Sequence, residues 1–274
     1  MKNPKVSVIC LCHNQADFVQ EAVASVLNQV YENTELIIVD DGSTDDSKKK
    51  IKKISTIHHL QFIDIPQPIG NCRAFNKGLK SAAGDFIIDL AADDILLPER
   101  IKKGLQTFQK KSIGVEFCNV MNIDQRGKTK DLHFQMGDLI PEGDVYLKLI
   151  TQYFISPPGM MIKRAVLEEL NGYDEELLYE DFDFWIRSSR IYLYGYTDEV
   201  LVKKRDVNTS LSKSQFRLFT KHQRSTLVVC KKIKLLNKST EERKALRKRC
   251  FYEIKNCLRQ GNVSLIPSFI RLIF

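Results

Sequence analysis

The 274-residue sequence predicts an α/β fold, a Rossmann-like, mainly parallel sheet flanked by helices, with a basic helical extension at its C-terminal end. Three observations carry that prediction. Short continuous apolar runs at Val6–Cys12, Glu35–Val39 and Phe86–Leu90 have the length and composition of strands buried on both faces. Segments of helical spacing separate them, and this alternation implies parallel strands joined by right-handed crossovers. Acidic clusters follow two of the strands directly, at the carboxyl ends where such sheets bind ligands.

Taken in order, Val6–Cys12 is the first strand, and Asp17 is placed to cap the helix after it. Phe18, Val19, Ala22, Val23, Val26 and Leu27 recur there at helical spacing. Glu35–Val39 is the second strand and ends in Asp40-Asp41-Gly42-Ser43; a polar helix through Lys48–Lys53 and a short strand at Gln61–Asp64 follow. Gly70 opens a helix through Ala74 and Leu79 that closes near Gly84. Phe86–Leu90 is the fourth strand, ending in Ala91-Ala92-Asp93-Asp94, and Pro98 suits the first turn of the next helix. Between Val115 and Leu201 the pattern is mixed. It holds a strand near Val115–Met121, a hairpin-like Gln125-Arg126-Gly127 and a helix near Val145–Gln152. A Pro157-Pro158-Gly159 loop then leads to Met160–Ile162, and a helix lies within Tyr179–Arg190. Beyond about residue 205 the chain reads as helical and basic, ending in the apolar Val263–Phe274.

Hydrophobic residues make up 43% and charged residues 28%, the balance of a soluble globular protein with a sizeable core. No run approaches the roughly 18–20 apolar residues of a spanning helix. Met1-Lys2-Asn3-Pro4-Lys5 leads into the first strand without a small-residue cleavage pattern, so no signal peptide is expected. The seven cysteines form no CxxC pair, which points to a reducing, cytoplasmic compartment and away from zinc. Charge is uneven: residues 1–202 carry 23 Lys and Arg against 30 Asp and Glu, whereas residues 203–259 carry 18 against 4. A solvated helical face and an attraction to anionic lipid headgroups both fit that basic region. Nucleic acid is not expected, because the run lacks interleaved aromatics and any binding motif.

Three acidic groups carry candidate chemistry. In Asp40-Asp41-Gly42-Ser43-Thr44-Asp45 a carboxylate can accept from a base N–H or ribose hydroxyls while Gly42 lets the backbone approach a ligand. A plain turn with Ser43 or Thr44 as helix cap is the structural alternative. Asp93 and Asp94 are adjacent carboxylates that repel one another unless a cation compensates them. Their hard oxygens suit Mg²⁺ or Mn²⁺, which complete their shells from water and substrate phosphates. Neighbouring side chains in an extended segment point to opposite sides, so one of the pair is expected on the metal and the other on the ligand. Glu180, Asp181 and Asp183 suit the dipole of a helix start, and Asp181 is alternatively a general base.

The chain resembles family 2 glycosyltransferases, whose nucleotide-diphospho-sugar fold is called GT-A. The matching stretches are Val6-Ser7-Val8-Ile9 through Asn14, Glu35–Asp45, Gly70–Gly78, Gly84–Arg100 and Gly172–Arg187, in order over about two thirds of the chain. The resemblance implies a catalytic domain over 1–205, with a nucleotide-binding half at 1–121 and an acceptor half at 122–205, and an extension at 206–274. It implies an inverting transfer from a nucleotide-sugar donor, with UDP favoured, to a glycan or lipid-linked acceptor, aided by Mn²⁺ or Mg²⁺. Asp41 would meet the base, Asp40 the ribose, and Asn14, Arg73 and Asp93 would lie at the nucleotide sugar. Asp93 and Asp94 would hold the metal and diphosphate, Asp181 would be the base in its Glu180-Asp181 motif, and Gly159–Met161 would line the acceptor side. Departures from the family pattern are Leu11-Cys12-His13 ahead of Asn14, Ala91 in place of an acid, Phe75 within Ala74-Phe75-Asn76, and Val207 in place of a histidine. They keep a catalytically degenerate binding protein as an alternative. A nucleotidyltransferase fits less well, since His13-Asn14-Gln15-Ala16-Asp17 holds neither glycine nor Lys or Arg. The basic C-terminal region with Val263–Phe274 is expected to hold the enzyme on the inner face of the plasma membrane; packing of Val263–Phe274 on the catalytic domain, or a dimer contact, is the equal structural alternative.

Overall fold

Each apolar run becomes a strand of one sheet in the computed structural model, which describes residues 3–207 and 221–274. The strands are β1 (Val6–Cys12), β2 (Thr34–Asp41), β3 (Gln61–Ile65), β4 (Phe86–Ala91), β5 (Ile95–Leu96), β6 (Val115–Ile123), β7 (Thr129–Leu132), β8 (Met160–Lys163) and β9 (Tyr194–Arg205). Their order across the sheet is β3-β2-β1-β4-β8-β6-β9-β5, with β7 beside β6. The expected parallel pairing holds for β3, β2, β1 and β4. Beyond β4 the sheet is mixed: β8 runs antiparallel to both β4 and β6, while β6 and β9 pair in parallel. The sheet is therefore less parallel than the apolar runs imply. Short antiparallel strands such as Met160–Lys163 are buried on both faces too, and burial alone does not encode direction.

Helices α1 (Val19–Leu27), α2 (Ser47–His58), α3 (Asn71–Ser81) and α4 (Arg100–Lys110) make the crossovers of the first half. Asp17 does not cap α1. The helix begins after Phe18, with no side-chain cap, because Gln15 O already accepts from both Phe18 N and Val19 N. Later helices are α5 (Tyr146–Thr151), α6 (Arg164–Glu169), α7 (Asp181–Ser189), α8 (His222–Leu236), α9 (Thr240–Arg259) and α10 (Ile266–Ile273). Ser239 caps α9 by accepting from Glu242 N at 3.1 Å, and Glu242 reaches back to Ser239 N.

Alternation along the central strands splits the core in two. Val8, Cys10, Ile38, Ile88 and Val120 pack on one face with Val23 of α1 and Ile101 of α4. Ile9, Ile37, Ile87 and Phe117 pack on the other with Phe75 of α3, Trp185 of α7, and Cys230, Leu246 and Phe269 of the C-terminal helices. The basic extension thus shares a core with the body of the protein; residues 208–220 of it lie outside the described residues. Within the apolar tail, Phe269 and Ile273 are buried, which leaves Val263, Ile270 and Phe274 as its outward apolar residues at 56%, 43% and 90% exposure. Among the described residues no helix is long and apolar enough to cross a membrane.

Gly159, Met160 and Met161, expected to line the acceptor side, are buried within this sheet. The Pro157–Gly159 turn is held from beneath by Arg100, whose Nη2 donates to Gly159 O at 2.8 Å and to Glu116 Oε2 at 2.8 Å. Arg100 and Glu116 are both 0% exposed, and Thr197 donates to the second Glu116 oxygen at 2.6 Å. Removing one partner of such a pair leaves a bare buried charge, at a cost of about 3–5 kcal/mol. Glu116→Ala is therefore expected to lower the unfolding free energy by about that amount in urea titration; a loss below about 1 kcal/mol would contradict the assigned role.

Candidate active site

The carboxyl ends of β1 and β2 are stitched into one surface. Asn14 takes a positive φ of 54°, a conformation its short polar side chain tolerates. Its Oδ1 accepts from Thr44 N at 2.8 Å, and its own N donates to Ser43 Oγ at 2.9 Å. His13 Nδ1 lies 2.6 Å from Asp41 O, so the departure at Leu11-Cys12-His13 places a ring directly on the acidic turn. Gly42, at φ 66°, is required here: a Cβ would stand 2.4 Å from Pro68 N.

The two aspartates of this turn sit at different depths. Asp41 accepts Ile69 N at 2.7 Å and Gly70 N at 2.9 Å, one on each oxygen. It thereby fixes the loop that opens α3 while retaining further acceptor capacity. Asp40, expected near the ribose, is 0% exposed and lies one layer lower. One of its oxygens accepts Ser43 N at 2.9 Å, and Oδ2 has no hydrogen-bond partner. Lys48, 3.8 Å away, supplies the compensating charge.

Asp93 and Asp94 follow β4 in a tight turn closed by Asp94 N donating to Ala91 O at 3.0 Å, and not in the extended segment expected. Arg205, at the end of β9, organises that turn. Its backbone N donates to Asp94 Oδ1 at 2.8 Å and its Nε to Asp93 O at 3.1 Å. Its Nη2 donates to Glu21 at 2.6 Å and its Nη1 to the carbonyls of Asp124 and Gln125, while the guanidinium lies over Phe18. Burial and then repulsion by Asp93 push the Asp94 carboxyl up to about 8; burial raises Asp93 as well.

Glu180 and Asp181 stand at the start of α7 on the facing side. Asn71, in the first turn of α3, donates to Glu180 Oε2 at 2.6 Å. Burial raises Glu180, and burial together with the Glu180 charge pushes Asp181 up to about 7. Arg73 is exposed and turned toward the segment ahead of this motif, donating to Glu175 O at 3.3 Å and Glu176 Oε1 at 3.2 Å. Asp89 joins the two acidic groups. It accepts from Tyr173 OH at 3.2 Å, and burial and then Glu180 hold its carboxyl well above the usual range, with Asp94 adding to the effect. Lys204 acts on both Asp94 and Asp181 as a nearby positive charge.

The sequence motifs pick out Asp40, Asp41, Asp93, Asp94, Glu180 and Asp181, but not Asp89. The available signal was an acid in the middle of the apolar run Phe86–Leu90, where only a site or a partner explains one. Asn71 and Tyr173 lie within matching stretches, but nothing local assigns them a role, because their partners Glu180 and Asp89 are distant in sequence.

Among the described residues no group of three or more His, Cys, Asp and Glu is arranged to hold a metal. The Asp93-Asp94 turn nevertheless fits a hard divalent cation. Burial raises the proton affinity of both carboxyls, and Asp93 raises that of Asp94 further; a nearby cation would stabilise both as anions, and their oxygens are the donors Mg²⁺ or Mn²⁺ prefer. The remaining ligands would have to come from water and a bound phosphate.

Comparison with known proteins identifies the family and the fold. Residues 7–170 match the model of glycosyl transferase family 2. An uncharacterized glycosyltransferase of Methanocaldococcus jannaschii is 31% identical over 219 residues, covering 76% of this chain and 73% of that protein. One of Rickettsia typhi is 29% identical, covering 74% of this chain and 64% of its own length; one of Rickettsia bellii is matched over 30% of its length. The fold is similar to that of S. aureus TarS 1-349 in complex with UDP-GlcNAc, with a TM-score of 0.75, 18% identity and coverage of 98% of this chain and 79% of that one. It is also similar to the mannosyltransferase PcManGT of Pyrobaculum calidifontis in complex with GDP-Man and Mn²⁺, with a TM-score of 0.66, 15% identity and coverage of 98% and 74%. Matched by its family model over more than half its length, this α/β chain of GT-A fold belongs to glycosyl transferase family 2.

Proposed function

We propose that the protein transfers a sugar, with inversion, from a nucleotide-diphospho-sugar to a hydroxyl of a glycan or lipid-linked acceptor. The carrying observation is the facing pair of acidic groups: Asp93-Asp94 at the end of β4, and Asp181 with a carboxyl held at about 7 at the start of α7. A base with that affinity is poised to take a proton near neutral pH. The UDP-GlcNAc and GDP-Man complexes of the similar structures support a nucleotide-sugar donor, and the resemblance of the Asp40-Asp41 motif to the family's favours UDP.

In this reading the turn at Asp41–Ser43 and the Asn14 loop receive the nucleoside, with Asp40 supporting the turn from below. Asp93 and Asp94 would hold Mg²⁺ or Mn²⁺, whose charge would offset that of the departing diphosphate. Asp181 takes the acceptor hydroxyl proton as the acceptor oxygen bonds to the anomeric carbon. The bond from that carbon to the diphosphate breaks, and its electron pair leaves with the nucleoside diphosphate. Glu180 keeps the Asp181 proton affinity high through like-charge repulsion, and Asn71 orients Glu180.

The membrane face is the proposed workplace. The outward face of α9 carries Lys244, Lys248, Phe251, Tyr252, Lys255, Leu258 and Arg259 at helical spacing, all exposed. Basic heads and aromatic rings on one helix face suit an anionic lipid surface.

Asp181→Asn is expected to lower turnover by about 10²–10⁴-fold with donor binding kept. The wild-type rate should rise through about pH 7 as Asp181 ionises, and Glu180→Gln should move that limb to lower pH by removing the like charge. An unmoved limb, or near-normal turnover of Asp181→Asn, would sink the assignment. For the membrane face, Lys248→Ala with Lys255→Ala should weaken flotation on phosphatidylglycerol vesicles about 30-fold, at about 1 kcal/mol per lysine. Equal flotation of wild type and variant would contradict it.

A further inference from the structure

We infer that Arg249, on the C-terminal helix α9, is a positioning residue for the proposed base, so that the C-terminal helices complete the active site. The inference rests on the reading of Asp181 as base and names what holds it in place. Arg249 is only 3% exposed, and its guanidinium lies 4.1 Å from the Tyr153 ring, 4.6 Å from the Phe182 ring and 5.7 Å from the Tyr252 ring. Phe182 is the residue after Asp181, and its N donates to Asp181 Oδ1 at 2.6 Å. The cation therefore grips the first turn of α7 one residue from the base.

Its setting is costly, which is why it asks for a role. Glu253 is the acid paired with Arg249, at 2.9 Å, while Nη2 has no hydrogen-bond partner and burial lowers the guanidinium pKa. An apolar side chain of similar volume would fill the space without that desolvation. What a guanidinium adds is a flat cation that locks ring orientation across Tyr153, Phe182 and Tyr252.

The same two helices hold the rest of the base segment. Ser225 Oγ accepts Leu178 N at 3.1 Å, and Thr226 Oγ1 lies 2.6 Å from Tyr179 OH. Lys232 bridges Asp174 at 2.5 Å and Asp183 at 2.6 Å, and Glu242 pairs with Arg190 at 2.7 Å. Residues before, beside and after Glu180-Asp181 are thus fixed from the C-terminal side, and Asn71 fixes Glu180 from the nucleotide side. A displacement of about 1 Å at a reacting group can cost about 10²-fold in rate, so a contact that sets the first turn of α7 acts on the chemical step and not on donor binding.

The test uses the full chain with Arg249→Met, which keeps volume and removes charge, and Arg249→Lys, which keeps charge and removes the flat fork. Amide hydrogen exchange is read by segment, and turnover as nucleoside diphosphate release from UDP-GlcNAc and GDP-Man. In Arg249→Met, exchange of residues 181–184 should quicken at least about tenfold with strands β1–β4 unchanged, and turnover should fall about 10–100-fold at unchanged donor KM. Arg249→Lys should recover part of both. Unchanged exchange in 181–184, or a turnover loss that comes wholly through donor KM, would overturn the inference. Should Arg249→Met fail to fold, Phe182→Leu carries the same expectation, and wild-type exchange and turnover there would overturn it equally. Asp181→Asn separates the two readings: normal turnover in that variant removes the base, whereas its loss beside a wild-type Arg249→Met removes the positioning role alone.

Discussion

Like charges held close together with little access to solvent are the constraint around which this protein is organised. Asp89, Asp93, Asp94, Glu180 and Asp181 all have raised proton affinities, each through burial first and several through one another. Such a cluster destabilises the fold unless something compensates it. Arg205 fixes Asp94 through its backbone N, Lys204 places positive charge beside both groups, and Tyr173 and Asn71 donate to Asp89 and Glu180. In the proposed reading, an anionic diphosphate at these acids would add to the repulsion, and a hard divalent cation at Asp93-Asp94 would reverse it. Donor binding and cation binding are therefore expected to be one event.

The sheet explains why the acids meet. β1, β2 and β4 run parallel and deliver the loops after Cys12, Asp41 and Ala91 to one edge, while the antiparallel β8 turns the chain so that β6 and β9 bring Arg205 to the Asp93-Asp94 turn. Helices α8 and α9 then close the far side, packing in the same apolar core as α3 and α7. The basic region has a dual character. Lys232 and Arg249 look inward to the Glu180-Asp181 segment, whereas Lys244, Lys248 and Lys255 look outward.

Much of the nucleotide half was legible in the sequence, since local signals govern it. Buried parallel strands are continuous apolar runs, and the acids after β2 and β4 stand out against them. The second half was less legible for physical reasons. Strand direction at Met160–Lys163 depends on partners far along the chain, the Asp93-Asp94 turn depends on Arg205 more than a hundred residues later, and Asp89 hides inside an apolar run. The cap assigned to Asp17 failed because a backbone carbonyl had already satisfied the helix start. The depth of Asp40 below Asp41 likewise follows from Ser43 and Lys48 gathering beneath the turn, an arrangement that no spacing rule reveals.

Calorimetry of UDP and GDP binding with Mn²⁺, with Mg²⁺ and in EDTA tests the coupling of charge and donor most directly. The acidic cleft predicts binding of one nucleotide with a divalent ion, none in EDTA, and loss of the ion-dependent part in Asp93→Ala with Asp94→Ala. Binding of equal strength in EDTA, or undiminished in that double variant, would contradict the account.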